Sequence, residues 1–245
     1  MANTNTFYGT WLTAGNPALA ELASMYNFDW FLFDLEHGFL TVHDLLGNLQ
    51  AVKNSATKNM VRVGGVDPIQ IAKVLDLGAN GIMVPHVSNA VLAKTCVDAM
   101  LYPPYGHRGF SSSVRAFNYG LNVPSDIHAD KPVLLVQIED VEGVKNADSI
   151  AAVDGVDVLF VGPADLKLSL KHQEKENAIS YEEALQTVIN AVKKNGKLAG
   201  ILVRSLEDTS HLIEMGFTYI ALSSDTAILK SGYQNIVKFI DELKK

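Results

Sequence analysis

Residues 81–101 read GIMVPHVSNAVLAKTCVDAML. A short apolar run, 81–87, is followed by a longer segment, 89–101, whose apolar residues fall at three-to-four spacing; that is a strand and then a helix. Working outward, the same unit recurs. Upstream stand FYGTWLTA (7–14) with a helix from Asn16 and Pro17, DWFLFDL (29–35) with a helix from about Thr41, and MVRVG (60–64) with DPIQIAKVLDLG (67–78). Downstream stand PVLLVQI (132–138) with VEGVKNADSIAAV (141–153), VDVLFVG (156–162) with SYEEALQTVINAVKKNG (180–196), LAGILV (198–203) with SLEDTSHLIEMG (205–216), and TYIALSS (218–224) with a C-terminal helix from Thr226. Asn16 can cap the first helix while Pro17, which has no N–H to lose, takes its first turn.

Eight such units, with continuous apolar strands and no composition break, predict an α/β fold of the (β/α)8 TIM-barrel type, one domain over residues 1–245. A doubly wound open sheet is the alternative, but no Gly-x-Gly-x-x-Gly follows the first strand, so nothing supports dinucleotide binding. One segment breaks the repeat: residues 102–131, YPPYGHRGFSSSVRAFNYGLNVPSDIHADK. Connections this long are lids, binding loops or oligomer contacts. It runs from helix to strand and so starts on the face opposite the expected active mouth, where a structural or interface role stands at least level with a catalytic one.

Composition narrows the function classes. With 245 residues, 48% hydrophobic and 19% charged, the chain has an ordinary globular balance and enough length for a large core. A formal net charge of -7 without a Lys/Arg-rich run argues against nucleic acid and anionic membranes as partners. Cys96 is the only cysteine, which excludes an internal disulfide and a CxxC metal site, and it reads as a small core residue on a helix. No basic-then-apolar leader and no run long enough to cross a bilayer is visible, so a cytoplasmic soluble protein is the expectation.

In such a barrel the reacting groups lie at the carboxyl ends of the strands. Sorted that way, the polar residues are informative. Asp34, Glu36 and His37 end the second strand in FLFDLEHG, Arg62 lies in the third, Gln137 and Glu139 end the fifth, and Asp165 follows the sixth in VGPAD. Lys58, Lys131 and Lys197 fall at the amino ends. Glu139 and Asp165 form the best metal candidate, because two carboxylates plus waters suit a hard divalent ion such as Mg2+ or Mn2+. The structural alternative pairs Glu139 with Arg62 and makes Asp165 a helix cap. Arg62 offers a planar fork for a carboxylate or an enolate oxygen, against a structural ion pair inside the barrel. His37 is a candidate general base if Asp34 or Asp76 orients it. His86 ends a strand without an evident partner and reads as secondary pocket lining. The backbone of GPAD could present N–H groups to an anion. Ser223 and Ser224 suggest a phosphate site, against a helix cap by Ser224 or Asp225. Lys167 is the one lysine near the mouth for a Schiff base, poorly placed for the desolvation that would lower its pKa. A catalytically silent barrel would lack a base or a ligand, and none is missing.

The motifs FDLEHG, VRV…DPIQIAKVLDLGANGIMVPHVSNA, YPPYGHRG, VLLVQIED and GVDVLFVGPADL resemble, over nearly the whole chain, the HpcH/HpaI family of class II (metal-dependent) pyruvate aldolases. The resemblance implies reversible retro-aldol cleavage of a 4-hydroxy-2-oxo acid to pyruvate and an aldehyde through a metal-bound pyruvate enolate. A metal-dependent 2-oxo acid decarboxylase or thioester lyase on the same scaffold is the alternative. It implies Glu139 and Asp165 as ligands of Mg2+ or Mn2+, with Co2+ as a further candidate, and Arg62 as the enolate-stabilising residue. It implies His37 as a base supported by Asp76, with Asp34 secondary. Gln137 would lie near the metal, and the backbone at Gly162 and Ala164 would hold the pyruvate carboxylate. A homo-hexamer with the C-terminal helix exchanged between subunits, and neighbours completing the pocket, is also implied. The chain departs from many relatives in GPADLK and in Val63-Gly64-Gly65 after the arginine, which bears on aldehyde specificity.

Overall fold

The computed structural model describes residues 6–173 and 178–244. Eight parallel strands close into a barrel in sequence order: β1 (Phe7–Leu12), β2 (Trp30–Asp34), β3 (Lys58–Arg62), β4 (Gly81–Val84), β5 (Val133–Ile138), β6 (Val158–Val161), β7 (Leu198–Val203) and β8 (Tyr219–Ser224). The helices between them are α1 (Pro17–Ser24), α2 (Val42–Ala51), α3 (Pro68–Asp76), α4 (Ala90–Met100), α5 (Val141–Lys145), α6 (Ala147–Ala151), α7 (Pro163–Lys171), α8 (Tyr181–Asn195), α9 (Thr209–Met215) and α10 (Asp225–Leu243). This is the (β/α)8 TIM barrel that the repeating units predict.

The helix start at Asn16 works as the sequence predicts, its side chain accepting the N–H groups of Ala18 and Leu19. Thr41 and Ser180, for which the sequence reading predicts no cap, form reciprocal capping boxes with Asp44 and Glu183. β4 stops at Val84, short of the expected 87, because Pro85 has no N–H for the ladder and His86 turns into the left-handed region at φ 54°. The expected 141–153 helix is divided at Asn146, whose side-chain amide donates to the carbonyl of Ser88. A helix the repeat did not require, α7, begins at Pro163.

Strand alternation sorts the barrel into two cores. Trp30, Leu32, Met60, Met83, Leu135, Val158 and Phe160 fill the interior, while Phe31, Phe33, Val61, Ile82, Leu134, Val136, Leu159 and Val161 face the helices. The interior plug is aromatic: Trp30 packs edge-on to Phe160 at 6.2 Å and lies 4.5 Å from Tyr219. Gly200 lies where a side chain would collide with the Phe160 ring, so β7 can pass beside that plug only as glycine.

Residues 102–131 run under the amino end of the barrel and include a 3-10 turn, Arg115–Gly120. Arg108 donates to Asp76 at 2.6 Å, and Arg115 donates to the carbonyls of Leu77 and Leu49, tying the segment to the ends of α3 and α2. Cys96 is buried on α4. No helix among the described residues is long and apolar enough to cross a membrane.

Candidate active site

Parity carries the interior pattern up to the mouth. On β2, Trp30 and Leu32 point inward, and so does Asp34; on β3, Met60 points inward and so does Arg62; after Leu135 on β5 come Gln137 and then Glu139. All four lie where the barrel interior opens, each at most 4% exposed. Burying charge this deeply requires partners.

Arg62 has them. Its Nε and Nη2 donate to the two oxygens of Asp34 at 2.9 and 2.7 Å, a bidentate clamp between adjacent strands. Its Nη1 lies 2.7 Å from Glu36 Oε2 and 3.3 Å from Gln137 Oε1, and its plane stacks 4.4 Å from the Trp11 ring. The Glu36 contact is ionic: the N–H is not aimed at Oε2, which receives no aligned hydrogen bond. The structural pairing of Arg62 is thus with Asp34 and Glu36, not with Glu139. Asp34 Oδ1 also accepts the backbone N–H groups of Glu36 and His37 at 3.0 and 3.3 Å. That turn fixes where the EHG segment leaves the strand.

Glu139 is held by neutral donors. Gln137 Nε2 donates to Oε2 at 2.9 Å and the His86 N–H donates to Oε1 at 2.7 Å. His86 Nδ1 is 3.1 Å from that same Oε1, and its Nε2 is 3.8 Å from Glu36 Oε1. His86, expected to lack partners, therefore touches two acids; the left-handed turn that brings it there has no signature in residue type. Burial pushes the Glu139 carboxyl above the usual range against the opposing pull of His86, and the charges of Glu36 and Asp165 push it further. Gly162 makes this arrangement possible, because a side chain there would overlap Glu139 Oε2.

Asp165 sits in the first turn of α7, half-buried, and caps nothing: the N-cap is Gly162 and no side chain accepts the first N–H groups. Among the described residues its carboxylate has no hydrogen bond and no ion pair, only its electrostatic coupling to Glu139. The Gly162 N–H goes to Ile138 O at 3.3 Å, whereas Ala164 lies one position inside α7 with no capping side chain competing for its N–H. Among the described residues no group of three or more His, Cys, Asp and Glu side chains is arranged to hold a metal ion.

His37 stands at the rim, its side chain 68% exposed and its Nε2 3.9 Å from Glu36 Oε1. Asp76 is not beside it. It ends α3 at the base of the barrel, bonded to Arg108. Lys167 lies 4.5 Å over the Tyr181 ring, outside the acid cluster. Ser224 caps α10 through Ala227 N–H, and Asp225 accepts from Thr13 and Ala14, so both have structural duties. A cleft of about 1050 Å³ opens at the base among Tyr102, Arg108, His128 and Lys131. The unbalanced charge is at the mouth and not in that cleft, and chemistry follows charge.

Three comparisons bear on this geometry. The sequence profile of the HpcH/HpaI aldolase/citrate lyase family matches residues 8–231. The chain is 37% identical to a 5-keto-4-deoxy-D-glucarate aldolase of Klebsiella pneumoniae over 97% of this chain and 92% of that one. It superposes with TM-score 0.90 on an HpcH/HpaI aldolase/citrate lyase family protein of Burkholderia cenocepacia, 30% identical, covering 98% and 96% of the two chains. An HpcH/HpaI aldolase of Desulfitobacterium hafniense matches with TM-score 0.87 at 28% identity, covering 98% and 94%.

Proposed function

The chain belongs to the HpcH/HpaI aldolase/citrate lyase family and is a carbon–carbon lyase, and on that premise we propose how its mouth works. It cleaves a 4-hydroxy-2-oxo acid reversibly to pyruvate and an aldehyde, with a divalent ion, Mg2+ or Mn2+ and with Co2+ as a further candidate, held by Glu139 and Asp165. One observation carries the reading. Four acids, Asp34, Glu36, Glu139 and Asp165, lie at the mouth, and Arg62 pairs with only two of them, Asp34 and Glu36. The remaining acids, one buried and raised in pKa and one without a partner among the described residues, make a donor set that fits a hard cation.

A divalent ion in that position would polarise the ketone of a 2-oxo acid and so ease carbanion character at the neighbouring carbon. The chain's own groups do the rest. Arg62, fixed by Asp34, presents fixed positive charge to the developing enolate oxygen. The exposed imidazole of His37 takes the proton of the 4-hydroxyl as the C3–C4 bond breaks, and the carbonyl of the leaving aldehyde forms. Gln137 holds Glu139 in place, and the first turn of α7 at Gly162 and Ala164 receives the substrate carboxylate.

Relatives at this level of identity are named for 5-keto-4-deoxy-D-glucarate, a dicarboxylate in which the keto group sits next to one carboxylate, with a deoxy carbon and then a hydroxyl beyond it. A 2-oxo-3-deoxy sugar acid of that kind is the substrate class proposed here, in preference to decarboxylation or thioester cleavage. Asp76 is engaged at the base of its own barrel, so its support of His37 is assigned to a neighbouring copy. The homo-hexamer with exchanged C-terminal helices supplies that neighbour. In support, α10 has no buried residue and leaves Ile228, Leu229, Tyr233, Ile236, Val237 and Phe239 uncovered.

The test is pyruvate release from a panel of 2-oxo acids, 5-keto-4-deoxy-D-glucarate among them, by chelated protein with and without Mg2+, Mn2+ or Co2+. Activity should require the ion. Full activity after exhaustive chelation, or a lysine adduct trapped by borohydride, would overturn the reading.

A further inference from the structure

The carboxyl end of β7 carries a cation with no structural duty. Gly200 lies against the Phe160 ring and Leu202 packs on the interior cluster, while Ala199, Ile201 and Val203 face the helices. The next inward position is Arg204, the first residue past the strand, and no left-handed residue between Leu198 and Ser205 breaks the alternation. Register places it near the acids. Ile138 pairs with Val161 and Val161 with Ile201, so Glu139 continues level with Leu202, and Arg204 stands two residues further out and two strands along. That is about 7 Å up and about 10 Å across, a gap that a long side chain and a bound substrate can close between them.

Arg204 is exposed, and among the described residues it makes no hydrogen bond, ion pair or ring contact. The acids nearest in sequence do not hold it. Glu207 accepts the hydroxyl of Ser205 at 3.2 Å, and Asp208 sits in the 3-10 turn that follows. The other described cations at the mouth are engaged or are not permanent charges. Arg62 is clamped by Asp34 and Glu36, Lys167 lies over Tyr181, and His37 and His86 stand 3.9 and 3.8 Å from Glu36.

The substrate class proposed above includes a dicarboxylate. One carboxylate belongs to the pyruvate half; the other lies at the far end of the chain and leaves with the aldehyde when the C3–C4 bond breaks. Resting on that reading, we infer that Arg204 receives this distal carboxylate, its planar fork matching the two oxygens. It is a specificity-determining residue. It takes no part at the bond that breaks, and it selects substrates whose aldehyde half ends in a negative charge over those that end in an alcohol. A mouth in which carboxylates outnumber cations would otherwise repel such a dianion.

The experiment measures pyruvate release by the full chain, supplied with Mg2+, Mn2+ or Co2+, from two 2-oxo-3-deoxy sugar acids of equal length. One is 5-keto-4-deoxy-D-glucarate, which ends in a carboxylate, and the other ends in a primary alcohol. Wild type is compared with Arg204→Gln, Arg204→Lys and Arg204→Glu. Exchange of the pyruvate methyl protons for deuterium, followed by NMR, reports enolate formation without any aldehyde half and identifies folded protein. Wild type should favour the dicarboxylate. In Arg204→Gln the ratio of the two kcat/KM values should fall by roughly 10–100-fold, the scale of a hydrogen bond to a charged group, with the loss mainly in KM. Arg204→Lys, which keeps the charge without the fork, should fall between the two, and Arg204→Glu below Arg204→Gln. A wild type with no preference for the dicarboxylate, or a ratio unmoved in Arg204→Gln and Arg204→Glu, overturns the inference and leaves the aldolase reading standing. A wild type that releases pyruvate from neither acid with any of the three ions overturns both.

Discussion

The two ends of this barrel treat acidic and amide side chains in opposite ways. At the base, the residue just before β2, β4 and β6 caps a backbone N–H of the strand preceding it. Asp29 takes Tyr8 at 2.7 Å, Asn80 takes Asn59 at 2.8 Å and Asp157 takes Leu134 at 2.8 Å. Each of these three acceptors meets a donor. At the mouth, carboxylates outnumber cations; one is pushed up in pKa and one has no partner among the described residues. The base spends its polar groups on holding strands in register, and the mouth keeps charge uncompensated for something that arrives later. Barrels of this architecture divide stability and catalysis between their ends in the same sense.

The contrast can be broken, most severely at Glu139. Glu139→Gln should lower pyruvate release by about three powers of ten or more, several kcal/mol of lost charge stabilisation. Thermal unfolding of the metal-free protein should not fall, because the substitution removes a buried charge that burial disfavours. A large loss of stability there would mean that the mouth is built like the base.

Arg62→Ala tests the one compensated pair. Leaving Asp34 buried and alone should cost about 3–5 kcal/mol of unfolding free energy, and kcat should fall by about 10²–10³. Denaturant titration and steady-state kinetics separate the two effects. Gly162→Ala sharpens the picture, since the new methyl would displace Glu139 Oε2. Ion affinity read by calorimetry should weaken by about tenfold, with the fold retained.

At the base the expected pattern inverts. Asp157→Ala should remove about 1 kcal/mol of stability by orphaning the Leu134 N–H, with kcat/KM unchanged. The smallest effect belongs to the exposed capping boxes. Hydrogen bonds from Ser180, the backbone N–H first and then the hydroxyl, hold the Glu183 carboxyl below its usual range. A depressed folded value means stability that is present above the ordinary carboxylate pKa and lost as pH falls through the folded one. Glu183→Gln should therefore lie slightly below wild type at neutral pH and converge with it in acid, as followed by melting temperature across pH.

Much of this was legible in residue order. The eight units, the cap at Asn16, and the cluster of Asp34, Glu36, Arg62, Gln137 and Glu139 at strand ends follow from periodicity and from residue types that ordinarily avoid burial. What stayed hidden depended on backbone direction or on distant neighbours. Nothing in VPHV announces that His86 turns left-handed and folds back on Glu139. Nothing in KVLDLG says that Asp76 meets Arg108, thirty-two positions away. The break at Asn146 likewise depends on a neighbour remote in sequence, the carbonyl of Ser88.

The reactive mouth is indexed by counting. Val136 and Ile138 point out to the helices while Gln137 and Glu139 point in, so deleting a single residue early in β5 would exchange the two sets at once. The strand would remain apolar enough to join the sheet, and the protein would present two aliphatic side chains where its acid and amide had been. In a lineage of such barrels, point substitutions can tune the chemistry gradually, but insertions or deletions are tolerated only outside the strands.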